Sequence, residues 1–131
     1  MTRKKNKVIK PLTEVELEVM KAIWNLDECK VRDVHDILHT ERALAYTSVA
    51  TMMKILEEKG FLTSQKSEKT HIYKSLVSKT EYEAASLNHL SDNVFEGNAS
   101  FMVLRLLDDS KLGKEELENI RKFLNERLNS K

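Results

Sequence analysis

A mainly α-helical chain with one small two-stranded hairpin and a helical region after it is what this sequence predicts. Three observations lead there. Charged residues fill 33% of the 131 positions, against one proline and three glycines, a composition that favours helices over loop-rich folds. Apolar residues recur at helical spacing through most of the chain, as at Val49, Met53 and Leu56. Over residues 61–76 the pattern changes to two short strand-like runs separated by a charged turn.

The elements follow in order. Arg3, Lys4, Lys5, Lys7 and Lys10 form a basic arm over residues 1–10, ahead of Pro11. Thr13-Glu14-Val15-Glu16 has the form of a capping box, in which hydroxyl and carboxylate each satisfy a backbone N–H of the other residue. It opens a first helix reaching about Leu26, with Leu17, Met20, Ile23 and Trp24 on the buried side. Asp27-Glu28-Cys29-Lys30 breaks the pattern. A short second helix over residues 31–39 turns Val34, Ile37 and Leu38 inward, and residues 40–45 make a connection of turn-like length.

The third helix starts near Tyr46 and ends where Gly60 supplies the left-handed residue that a helix C-terminus favours. Residues 61–66 and 71–76 are the strands, with Ser67-Glu68-Lys69-Thr70 between them. Thr80-Glu81-Tyr82-Glu83 is a second capping box, opening a fourth helix to about Phe95, broken by Gly97-Asn98. Two further helices span residues 100–109 and 114–128. The first is apolar on nearly every side, and such a helix needs more cover than two neighbours give. A second copy of the chain is the expected cover, through Phe101, Leu104, Leu107, Leu117, Ile120 and Leu124, the alternative being packing against the first helix.

Net charge is +1, but its distribution is uneven. Residues 1–80 hold 15 Lys/Arg and 11 Asp/Glu (net +4), whereas residues 81–131 hold 7 and 10 (net −3). A positive front and a negative back suit a phosphate-binding half joined to an association half. The lone Cys29 cannot close an internal disulfide, and no apolar run reaches the length of a membrane span. A soluble, cytoplasmic protein without a membrane partner is the expectation.

A short helix, a second helix and a basic hairpin in this order outline a winged helix-turn-helix, here residues 11–79, followed by a helical dimerisation region over residues 80–131. A helix that enters the major groove needs small polar residues at its leading end so that its backbone approaches the bases. Thr47, Ser48 and Thr51 meet that need, with Lys54 beyond them. Lys66, Lys69, His71 and Lys74 in and around the hairpin are placed to meet phosphates. With no arginine on that helix, discrimination leans on A·T contacts, thymine methyls and duplex shape.

Other chemistry finds less support. His35 and His39 lie one helical turn apart with Cys29 before them, but a closed metal site needs four ligands at fixed distance. The sequence holds no Gly-rich phosphate loop, no His-Glu-x-x-His and no nucleophile elbow, so no catalytic activity and no cofactor are expected. The competing readings are a regulator gated by metal at His35 and His39, and a winged helix used as a protein–protein adaptor.

Residues 17–76 resemble the BlaI/MecI/CopY family of bacterial repressors. The resemblance rests on Glu18-Val19-Met20-x3-Trp24, Val31-Arg32-Asp33-Val34, Tyr46-Thr47-Ser48-Val49-x-Thr51, Leu56-x-x-Lys59-Gly60-Phe61-Leu62 and Tyr73. It implies a homodimeric transcriptional repressor on a palindromic double-stranded operator, regulating antibiotic-resistance or related stress genes. Thr47, Ser48, Thr51 and Lys54 become the recognition surface by that analogy, and Ile55 replaces a residue that is basic in many relatives. Copper-sensing members carry a C-terminal cysteine cluster, which this chain lacks. In β-lactam-responsive members an inactivating protease cuts an Asn-Phe bond, and the corresponding place here reads Arg105-Leu106.

Overall fold

The computed structural model describes residues 9–40, 42–109 and 111–130. The basic positions Arg3, Lys4, Lys5 and Lys7 lie outside the described residues, and Lys10 is exposed. The elements are α1 (Glu14–Trp24), β1 (Glu28–Cys29), α2 (Val31–Leu38), α3 (Tyr46–Glu58), β2 (Leu62–Ser67), β3 (Thr70–Ser75), α4 (Lys79–Asn93), α5 (Ala99–Asp109) and α6 (Lys114–Asn129). The chain divides into two compact units, one ending at Leu87 and one beginning at Asn88, so the division falls within α4.

Local sequence sets the helix ends. Thr13 Oγ1 accepts from Glu16 N–H at 3.2 Å, and Glu16 Oε1 accepts from Thr13 N–H at 2.9 Å, closing the expected box. At the other end of α3, Gly60 takes φ +88°; its N–H donates to Glu57 O and the Phe61 N–H to Leu56 O. These are the two bonds of a Schellman motif, and they satisfy carbonyls that the helix leaves open. The box of α4 sits two residues earlier than expected: Ser78 Oγ accepts from Glu81 N–H, and Glu81 Oε1 from Ser78 N–H. Thr80 therefore lies inside the first turn rather than capping it.

The first unit is built around α1, α2, α3 and an antiparallel sheet of order β1-β3-β2. Val49, Met53 and Leu56 are fully buried, as their spacing predicts, together with Val19, Met20, Ile23 and Val34. Two inward assignments need correction. Ile37 is 40% exposed, because α2 is short and turns only Val34 and Leu38 to the core. Leu17 is only partly buried; Val19 and Ala22 are the buried positions that the spacing missed. Trp24 is half-buried, and its indole N–H donates to Val77 O at 2.8 Å.

The sheet also differs from expectation. The break at residues 27–30 contains β1, where Glu28 pairs with Lys74 and Cys29 with Tyr73. A two-residue strand has no alternation to read, so only its partner reveals it. The hairpin pairs Ser67 with Thr70, leaving a tight turn of Glu68-Lys69 in place of the four-residue turn, with Glu68 at φ 58°. Tyr82 of α4 stays with the first unit: its hydroxyl accepts from Leu12 N–H at 2.9 Å and its ring lies 5.9 Å from those of Trp24 and Phe61.

In the second unit, Asn98 Oδ1 accepts from Phe101 N–H at 2.8 Å to start α5, and Glu116 Oε1 from Gly113 N–H at 2.8 Å to start α6. Neither α5 nor α6 buries a residue within one chain. Phe101, Leu104, Leu117 and Leu124 are all 42–60% exposed, and Leu107 and Ile120 are partly so. No helix among the described residues is long and apolar enough to cross a membrane.

Candidate nucleic-acid interface

The fully buried stripe of α3 dictates what its other side presents. With Val49, Met53 and Leu56 in the core, Thr47, Ser48, Thr51 and Lys54 stand exposed together on the remaining face. Three small side chains and one long cation leave the helix backbone open to close approach.

The helix is held rigidly in that attitude. At its start, Arg42 binds Glu18 with a fork of two 2.8 Å bonds, tying the connection after α2 to α1. Each of those side chains is partly exposed, so the pair orders more than it stabilises. The Arg42 fork holds the Glu18 carboxyl below the usual carboxylate value. His35 Nε2 lies 3.0 Å from Leu44 O, and its ring meets Tyr46 edge-on at 5.8 Å. At its end, Lys59 Nζ pairs with Glu16 Oε2 at 2.7 Å, and Glu57 Oε2 accepts from the Ser64 hydroxyl at 2.8 Å. Core, first helix and hairpin thus all fix α3.

The hairpin places the other expected residues. Lys66 and His71 are direct cross-strand partners, but only His71 lines the space beside α3; Lys66 lines a separate recess of the hairpin with Thr63, Gln65 and Lys74. Lys69 sits in the turn. Lys74 falls on the face opposite His71, across from Thr63, where its Nζ lies 3.7 Å from Glu28 Oε2. The alternation of strand side chains separates Lys74 from His71.

Between the start of α2, the exposed face of α3 and the hairpin lies a recess of about 660 Å³. Thr51, Lys54, Lys69 and His71 line it, and so do Lys30, Arg32 and Tyr46, which sequence reading did not assign to the site. Their spacing carries no signal, since nothing local ties residues 30–32 to residues 69–71.

The histidines do not assemble a metal centre. The His35 and His39 rings are 5.6 Å apart, but His35 is engaged with Leu44 O and Cys29 points into the core, 2% exposed. Burial, with Asp33 nearby, pushes the Cys29 thiol up to about 11. Among the described residues no three candidate ligands meet.

Comparison with known proteins agrees with this architecture. The sequence profile of the penicillinase repressor family matches residues 12–126. The penicillinase repressor of Bacillus licheniformis is 26% identical over 95% of this chain and 98% of its own length. The methicillin resistance regulatory protein MecI of Mammaliicoccus sciuri is 24% identical over 88% of this chain and 94% of its own. Among solved structures, the monomeric form of Bacillus licheniformis BlaI in complex with the blaP half-operator matches 57% of this chain and 92% of that one. The identity there is 27% and the TM-score 0.50. The chain therefore belongs to the penicillinase repressor family of DNA-binding transcriptional repressors and carries their winged-helix fold.

Proposed function

We propose that this protein is a homodimeric, sequence-specific repressor that occupies a palindromic operator and keeps polymerase from the promoter. One observation carries the reading: Thr47, Ser48, Thr51 and Lys54 are exposed together on the face of α3 opposite its fully buried stripe. That face enters the major groove, while Lys66, Lys69 and His71 of the wing meet the sugar–phosphate backbone. A relative of the same fold was solved in complex with its half-operator, which supports operator DNA as the partner. The exposed apolar residues of α5 and α6 form the surface that a second copy covers, since a monomer rarely leaves so much apolar area in water. Two linked modules then bind two half-sites with an affinity that one cannot reach. The names of the relatives favour resistance genes as the targets. Release by a protease at Arg105-Leu106 requires α5 to open locally, because both residues lie inside that helix.

The test selects bound sequences from a random duplex pool and compares the parent with Thr47→Ala/Thr51→Ala. The variant loses about tenfold or more in preference for the selected duplex, while random-duplex affinity is unchanged. Retention of full preference overturns the assignment of the α3 face. Sedimentation of the full chain gives a dimer; a monomer at every concentration overturns the second half of the proposal.

A further inference from the structure

The recess between α2, α3 and the wing is an anion seat by construction. Four cations line it: Lys30 and Arg32 from the start of α2, Lys54 from α3, and Lys69 from the wing turn. Two carboxylates also line it, Asp33 and Glu57, which leaves the recess two positive charges in excess. Each carboxylate already accepts a hydrogen bond from a neutral donor. Asp33 Oδ2 accepts from the Lys30 backbone N–H at 2.9 Å, and Glu57 Oε2 is bound to the Ser64 hydroxyl at 2.8 Å. None of the four cations is in an ion pair among the described residues. Elsewhere in the same unit, Arg42, Lys59 and Lys74 each have a glutamate partner. The four cations of the recess are thus gathered on one surface with no carboxylate paired to them.

We infer that this recess seats the phosphodiester backbone of one DNA strand, and that Lys30 and Arg32 of α2 are further positioning residues for the duplex. The inference rests on the DNA-binding reading above and deepens it. The recess is continuous with the recognition face, because Thr51 and Lys54 belong to both. A strand bordering the groove that receives α3 therefore crosses the recess. There the Arg32 guanidinium offers a planar fork to phosphate oxygens, and Lys30 a compact charge. The hydroxyl of Thr51 adds a neutral donor on the α3 wall. Such contacts set register on the duplex and read no base.

The experiment measures affinity of the full chain for a random-sequence duplex by fluorescence anisotropy across a salt series. Parent, Lys30→Gln, Arg32→Gln and the double variant are compared with Lys114→Gln/Lys122→Gln, which removes the same charge from α6. Each phosphate contact contributes about 0.9 to the slope of log K against log salt. Because each substitution is present in both modules of the dimer, each single variant lowers the slope by about 1.8 and the double by about 3.6, while the α6 control keeps the parental slope. A parental slope in the double variant overturns the recess and leaves DNA binding intact. An equal fall in the α6 control overturns it as well, because bulk charge then accounts for the effect. A parent with no salt-dependent affinity removes the DNA-binding reading and this inference with it. Thermal melts of the single variants, both at exposed side chains, confirm folding.

Discussion

Glu16 and Lys59 form an unequal pair, and removing one partner at a time exposes the inequality. The glutamate side chain is 6% exposed and the lysine 39%, with 2.7 Å between Oε2 and Nζ. Lys59→Met leaves a largely buried carboxylate without its cation, a change that costs about 3 kcal/mol when a buried charge loses its partner. Glu16→Gln is milder. Its amide oxygen still accepts the Thr13 N–H, and the freed ammonium swings into solvent, so only a charge-assisted bond is lost, about 1–2 kcal/mol. The double variant Glu16→Gln/Lys59→Met strands no charge and is more stable than Lys59→Met alone. Urea titration at neutral pH and fixed protein concentration reads these differences as midpoint shifts at constant slope. Each kcal/mol moves the melting temperature of a unit of this size by about 4–8 °C. If Lys59→Met costs no more than Glu16→Gln, the carboxylate is not desolvated and the reasoning fails. Acid titration gives a second reading of the same site. Burial pushes the Glu16 carboxyl up, but the Lys59 charge and hydrogen bond and the Thr13 N–H outweigh it, so the group titrates below its ordinary 4.5. A depressed folded value contributes stability above the unfolded value and loses it as pH falls through the folded one. The gap between parent and Glu16→Gln is therefore full at neutral pH and closes on acidification below about 4.5.

Two further changes test the frame around α3. Gly60→Ala places a Cβ where nothing lies within 4 Å, so its cost is the conformational one of a φ of +88°, about 1 kcal/mol. Calorimetry that finds the variant as stable as the parent would refute the left-handed cap. Cys29, buried and with a thiol pushed up to about 11, should react with a disulfide reagent only as fast as the chain unfolds. Rapid labelling under native conditions would place it at the surface instead.

What the sequence determined by itself is everything that lives within one or two helical turns. The Thr13–Glu16 box, the Gly60 terminus and the Val49, Met53, Leu56 stripe are each read from spacing, because the groups that interact lie at most a few residues apart. Burying that stripe already forces Thr47, Ser48, Thr51 and Lys54 outward, so the exposed face of α3 is legible too. Only the tertiary structure decided what holds it in place. Glu16 meets Lys59 across 43 residues, Trp24 meets Val77 across 53, and Tyr82 meets Leu12 across 70. The pairing of β1 with β3 belongs to the same class. So does the recess that brings Lys30 and Arg32 beside Lys69. These depend on where the chain returns, which is set by the packing of several elements at once, and no local pattern of residues encodes it.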